Sequence, residues 1–307
     1  MSALKNFQIG CDPEFFVTKD GKPYAAIDLV PGNKEKPYKV EAGAVQVDGL
    51  ALEINTNPVP ADDFKGFNEN ILTVLKTTHG MVKAKDATLA FDLSPSTVFD
   101  KGYYDSLPDS AKELGCDPDF CAYSEDPFEP NPRPDGDSGL RGAGGHIHIG
   151  WGADIPLDHP DHIEICRQFI RNMDIFVGLG MTIIDTDERR RQVYGKAGAY
   201  RPKSYGVEYR TPSNAWLKSE GHRRFIHRLV MAALEDMMKG ESARCNKLGK
   251  KSMNEIQAII NDGDADKAYH ILTTVLNIRV PKELAETNPK LSSTVGDREA
   301  NVLAKAV

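Results

Sequence analysis

FQIGCDPEFFV, residues 7–17, reads as a β-strand, and its reading decides the fold. Side chains at i and i+2 of a strand point the same way, so Asp12 and Glu14 share one face while Phe15 and Phe16 supply packing. The device recurs along the chain. AVQVDGLALEINTNP (44–58) reads as a hairpin whose Asp48-Gly49 pair suits a two-residue type I′ turn. That register pairs Gln46 with Ala51 and Ala44 with Glu53, and it gathers Gln46, Glu53 and Asn55 on one face. GGHIHIGW (144–151) places His146 and His148 opposite Ile147 and Ile149, and SYGVEYRTP (204–212) places Glu208 and Arg210 opposite Val207 and Tyr209. One polar pair on a strand is an ordinary solvated face. Four in succession describe a sheet with one face for the core and one for chemistry.

The connections fit such a sheet. Phe64, Phe67, Ile71, Leu75 and Val82 recur at near-helical spacing and predict a helix over about 62–85, with a short strand TLAFDL (88–93) after it. Further helices are expected over 161–184, from an Asn214 cap to Gly240, and as two shorter patterns over about 251–276. The last 25 residues read as a peripheral tail. Residues 94–143, ending in SEDPFEPNPRPDGDSGLRGAGG, are too rich in Pro, Gly and acidic residues for core. Strands and helices alternate irregularly around an early hairpin, which predicts an α+β fold on an antiparallel sheet rather than a doubly wound one. No repeat and no linker between separate cores is visible.

Composition narrows the function. With 307 residues, 40% hydrophobic and 27% charged, the chain has the profile of a soluble globular protein. A net charge of −7 gives no general attraction to nucleic acid or an anionic membrane. No stretch approaches the roughly 20 apolar residues that span a bilayer. Five cysteines without metal-finger spacing, and a start without an apolar signal segment, point to a reducing, cytoplasmic setting.

The polar face gathers Asp12, Glu14, Glu53, His146, His148, Glu208 and Arg210. Its carboxylates repel one another unless cations neutralise them, and oxygen-rich ligands favour Mg²⁺ or Mn²⁺. His-x-His is also a zinc pattern, but the cysteine or third histidine of most zinc sites is missing. ERRRQVYGKAGAYRPKSYGVEYR (188–210) then concentrates Arg189, Arg190, Arg191, Lys196, Arg201, Lys203 and Arg210 in an acidic protein. Interleaved glycines and arginines suit a phosphate-handling loop. The arginine triplet ends a helical stretch and is expected to be solvated, whereas Arg201, in a loop, and Arg210 are expected to reach phosphate. No Walker A or GxGxxG sequence is present, so neither of those nucleotide scaffolds applies.

GCDPEFF, LALEIN, GGHIHIG, YGKAGAYR and EYR, in this order, resemble the motif order of glutamine synthetases and glutamate–cysteine ligases. The combination of GCDPDF (115–120) with RGAGGHIHIG (141–150) is similar to the phage-type carboxylate–amine ligases, or amidoligases, of that superfamily. The resemblance covers about residues 8–240. It implies a curved antiparallel sheet with helices on its outer side and the active site in the concave face, hence a glutamine synthetase-like catalytic domain over 1–240; the helical patterns and polar end that follow are read as an extension over 241–307 packed on the same domain.

Residue by residue, the resemblance implies Asp12, Glu14, Glu53, His146 and Glu208 as metal positions, with His148 facing nucleotide phosphate. Arg201 and Arg210 match the arginines that hold the transferred phosphoryl group, Glu53 joins them as a catalytic position, and Lys196 is a weaker phosphate contact. Asp117 and Asp119, with Tyr123 beside them, are expected to receive substrate. ATP, Mg²⁺ or Mn²⁺, and small-molecule or peptide carboxylate and amine substrates follow. Asp12 stands where the family more often has glutamate. A separate N-terminal domain like that of glutamine synthetases is expected to be absent, so their ring assembly is not implied, although a homo-oligomer is allowed. A guanidino-type phosphotransferase, a metal hydrolase and an inactive phage structural or regulatory protein remain open alternatives.

Overall fold

The computed structural model describes residues 6–112, 119–131, 139–240 and 243–291. Thirteen strands are present in them: β1 Gln8–Lys19, β2 Lys22–Tyr24, β3 Tyr38–Val40, β4 Gly43–Asp48, β5 Ala51–Thr56, β6 Val59–Pro60, β7 Ala90–Asp92, β8 Ser96–Val98, β9 Phe120–Cys121, β10 Leu140–Gly142, β11 Gly145–Gly150, β12 Ala199–Lys203 and β13 Gly206–Tyr209. Eleven of them form one open antiparallel sheet in the order β3-β4-β5-β1-β11-β13-β12-β9, with β2, β6 and β7 also paired to β1; β8 and β10 form a separate pair. The fold is therefore α+β, as the strand order in the sequence predicts.

Residues with the parity opposite to the polar pairs build the core. Ile9, Ile147, Ile149, Val207 and Tyr209 pack in one apolar cluster with Phe67, Ile71, Phe169, Phe225 and Leu229 from the helices. The helix Phe64–Lys85 starts at an Asp63 cap that accepts from the Gly66 N–H and buries Phe67, Ile71, Val74, Thr78 and Val82, an i, i+3/i+4 stripe. No described helix is long and apolar enough to cross a membrane.

Several expectations are corrected. The hairpin turn is Gly49-Leu50, because Asp48 pairs with Ala51 and Gln46 with Glu53. Gly49 takes the positive φ, and buried Leu50 anchors the turn while its carbonyl accepts from the Ala26 N–H. The slip is by two positions in the pairing sum, so the face of every side chain is preserved. The helix expected over 161–184 is present as one continuous run from residue 160 to 184, but it carries a π turn, Asp174–Gly178, between Pro160–Met173 and Leu179–Ile184. Asn214 caps no long helix. Its buried amide donates to the Glu14 and Ser94 carbonyls, and Ser219 caps Glu220–Met237 instead. The tail is not peripheral as far as Leu291, since Leu284, Ala285 and Leu291 join the main core and the Asn288 side chain donates to the Ile183 carbonyl. Residues 292–307 lie outside the described residues.

Candidate active site

Antiparallel register carries the polar pairs across neighbouring strands. Glu53 on β5 faces Glu14 on β1; Asp12 on β1 faces His146 on β11; His148 on β11 faces Glu208 on β13; and Glu208 faces Arg201 on β12. Residues separated by a hundred or more positions in sequence thus form one polar band on the face opposite the helices.

Asp12, His148 and Glu208 form a three-ligand group, with one ligand atom from each lying within 4.8 Å of the others. His148 Nε2 is 3.0 Å from Asp12 Oδ2, and the other imidazole nitrogen, Nδ1, is 2.5 Å from the Tyr205 hydroxyl. Asp12 Oδ1 and His148 Nε2 are buried yet lack a partner in hydrogen-bonding geometry. Buried polar atoms are normally satisfied; these two have only ion-pair contacts, Asp12 Oδ1 at 3.3 Å from His146 Nδ1 and His148 Nε2 at 3.0 Å from Asp12 Oδ2, so the pair fits a cation that accepts both as ligands. Burial pushes the Asp12 carboxyl up, but the His148 and His146 imidazoles outweigh it and the net direction is down. Burial lowers His148 and Asp12 more than restores it, so its pKa is raised.

Glu14, Asp48 and Glu53 form a second group of the same compactness. Burial is the largest cause raising Glu53, reinforced by the charges of Asp12, Glu14, Asp48 and Glu208, and burial also raises Glu14. The Gly144 N–H donates to Glu14 Oε2 at 2.8 Å, which fixes the direction of that carboxylate.

Cations close the other side. Glu208 is fully buried; burial raises its pKa, but Arg210, His148, Arg201 and Lys203 hold it well below the usual range. Lys203 Nζ is 2.8 Å and Arg201 Nη1 3.4 Å from Glu208 Oε2, while Arg210 donates to Oε1. Arg210 also donates to the Tyr194 hydroxyl and lies 3.5 Å from Asp119 Oδ2 through Nε. The Tyr194 hydroxyl also lies 2.9 Å from His146 Nε2, and His146 Nδ1 faces Asp12, Arg210 Nη1 and Glu208 at 3.3, 3.5 and 3.6 Å. A cleft of about 510 Å³ opens beside the Asp12–His148–Glu208 group, lined by Gln8, Asn55, Thr56, His148, Asp154 and Tyr205 among others.

Residues 141–287, just under half of the chain, match the family described as phage phiEco32-like COOH.NH2 ligase-type 2. The likeness to the phage-type carboxylate–amine ligases therefore stands. The matched span carries β11, β12 and β13, hence His146, His148, Arg201, Glu208 and Arg210; the carboxylates of β1, β4 and β5 lie before it. Two solved structures overlap the chain, one described as "Apo GmaS without ligand" (10% identity, TM-score 0.34) and one as "GmaS/ADP complex-Conformation 1" (12% identity, TM-score 0.33). In each, 92% of this chain and 72% of the other are covered, and at these TM-scores the overlap carries no argument. No curated protein matches the chain.

Most residues singled out in the ligase-type motifs meet on this face, with differences. His148 rather than His146 belongs to the compact three-ligand group; His146 Nε2 lies against the Tyr194 hydroxyl, and its Nδ1 faces Asp12 and Glu208. Arg201 sits on β12, not in a loop. Gly198 and Pro202 disguised that strand, yet β9 covers β12 only at Ala199 and Tyr200, so Pro202 occupies an open edge. Asp119 reaches Arg210, but Asp117 lies outside the described residues. Tyr123 is placed elsewhere: its hydroxyl donates to Asp174 among the helices. The Lys196 side chain is exposed. The arginine triplet is not solvated, since only Arg189 is exposed. Arg190 is 1% exposed and donates to the Thr211 and Pro212 carbonyls, while Arg191 donates to the Asp185 carbonyl. Sequence reading missed Asp48, taken as a turn residue, and Tyr194 and Tyr205, whose alternation with glycines signalled only a loop.

Proposed function

We propose that this chain is an ATP-dependent ligase that joins a carboxylate to an amine and releases ADP and phosphate. The observation that carries the reading is the junction, on one sheet face, of the Asp12–His148–Glu208 group with Arg201, Lys203 and Arg210. Acidic ligands beside convergent cations suit a polyphosphate whose charge must be bound and then redistributed. The family match over residues 141–287 supports the same class of reaction.

Asp12, His148 and Glu208 would hold Mg²⁺ or Mn²⁺, and Glu14, Asp48 and Glu53 offer a second position. Such an ion supplies charge neutralisation and orientation to the phosphates. The cleft beside His148 has room for the nucleoside. In the first step, an oxygen of the substrate carboxylate attacks the γ-phosphorus and the bond to the β-phosphate oxygen breaks. ADP leaves and an acyl phosphate remains. Arg201 and Arg210 stabilise the transferring phosphoryl charge through fork-shaped donors. In the second step, the amine nitrogen attacks the acyl carbon, phosphate leaves with the C–O bonding pair, and the amine proton passes to a carboxylate. Asp119, 3.5 Å from Arg210 Nε, would be the carboxylate that takes that proton.

A matrix of acids and amines, read by ADP release with Mg²⁺ or Mn²⁺, tests the reading. ADP that appears only when both an acid and an amine are present supports it. ADP without an amine points to simple phosphotransfer, and acid–amine condensation with AMP release excludes the acyl-phosphate route.

A further inference from the structure

We infer that Asp174 is a positioning residue that, from behind the sheet, ties together the three segments bearing Glu208 and Arg210, Arg201, and Asp119. The inference rests on the ligase reading of the opposite face. Asp174 is fully buried at the start of the π turn Asp174–Gly178. Its Oδ1 accepts from the Tyr209 hydroxyl at 2.5 Å and lies 3.5 Å from Thr211 Oγ1, whose hydroxyl donates to the Lys196 carbonyl at 2.9 Å, and its Oδ2 accepts from the Tyr123 hydroxyl at 3.0 Å. The Gly198 N–H completes the set.

Each of these residues neighbours a group of the polar face. Tyr209 lies between Glu208 and Arg210 with its side chain on the other side of β13, so holding its hydroxyl sets the pleat that aims both. Thr211 follows Arg210, Gly198 precedes β12 and Arg201, and Tyr123 follows β9 and Asp119. The backbone makes room for this convergence. A Cβ on Gly178 would lie 2.9 Å from Tyr209 Oη and 3.1 Å from Asp174 Oδ1, and a Cβ on Gly198 would lie 2.5 Å from the Tyr123 ring. π turns of this kind are frequent at functional sites. Burial raises the Asp174 carboxyl, the donors pull it partly back, and it comes to about 7. The titratable groups facing it are Tyr209 from β13 and Tyr123 from the segment after β9, with Arg171 one helical turn earlier facing Tyr123.

The test uses Asp174→Asn, Tyr209→Phe and Tyr123→Phe in the full chain. Asp174→Asn is expected to lower kcat roughly 10-fold or more, to leave the KM for ATP nearly unchanged, and to remove an acid limb near neutral pH, while the folded fraction and Tm are kept. Wild-type kcat and pH profile in folded Asp174→Asn would overturn the inference. Should that variant fail to fold, the two single-hydroxyl deletions decide: lowered kcat at retained Tm supports it, and unchanged kcat in both overturns it. If the wild type forms no ADP with any acid and amine, the ligase reading fails by itself. Asp174 is then read through Mn²⁺ affinity, expected to fall about 10-fold in Asp174→Asn because Glu208 is less well aimed; unchanged affinity overturns the inference.

Discussion

Glu14 and Glu53 stand directly opposite each other on β1 and β5, with Asp48 beside them in the same compact group. Burial raises both glutamates, Glu53 well above its ordinary value; the Asp48 charge adds to the rise in each, and those of Asp12, Glu14 and Glu208 to that of Glu53. A carboxylate raised on folding contributes stability that is present below its unfolded pKa and lost as pH rises through the folded one.

Metal-free protein should therefore lose stability as pH rises from about 4.5, the ordinary value for glutamate. Glu53→Gln removes one of the repelling charges. In chelator at neutral pH its Tm should exceed that of the wild type by about 2–4 °C, and the gap should vanish toward acid pH. Thermal melts across pH check this; a lower Tm at neutral pH would mean that Glu53 gains more from its surroundings than it loses.

Tyr205→Phe should weaken Mn²⁺ binding about 10-fold. Its hydroxyl lies 2.5 Å from His148 Nδ1, and that partner sets the ring orientation and tautomer offered at Nε2. Titration calorimetry with Mn²⁺ alone reads the effect, and unchanged affinity would remove His148 from the cation site.

Arg201→Ala and Arg210→Ala should each lower turnover by roughly 10²-fold or more at saturating ATP. Arg190→Ala should act differently. The buried Arg190 guanidinium donates to the Thr211 and Pro212 carbonyls, so its loss should cost on the order of 2–4 kcal/mol of stability. Turnover per folded molecule should stay within a few-fold of wild type. Denaturant melts beside kinetics separate the two effects; a stable Arg190→Ala with collapsed turnover would move the phosphate contact to that side chain.

The sheet was legible because strand parity is local: Asp12/Glu14, His146/His148 and Glu208/Arg210 announce their faces without knowledge of their partners. Even the misplaced hairpin turn kept Gln46, Glu53 and Asn55 together, since the shift preserved parity. What stayed hidden depended on tertiary contacts. Whether His146 or His148 meets Asp12 and Glu208 at Nε2 is set by Tyr194 and Tyr205, and no spacing rule links those tyrosines to the histidines. Arg190 looked solvated because a charge triplet says nothing about the carbonyls of residues 211 and 212 that fold over it. Strand β12 was hidden by Pro202, which only an edge position tolerates.

The most direct test of the central claim follows the oxygen. With an accepted acid labelled with ¹⁸O in its carboxylate, the acyl-phosphate route places one labelled oxygen in the released inorganic phosphate, because the carboxylate oxygen that attacks the γ-phosphorus leaves with it. Label in phosphate, together with ADP, is the predicted result. Label in AMP, or unlabelled phosphate accompanying amide formation, would contradict the account.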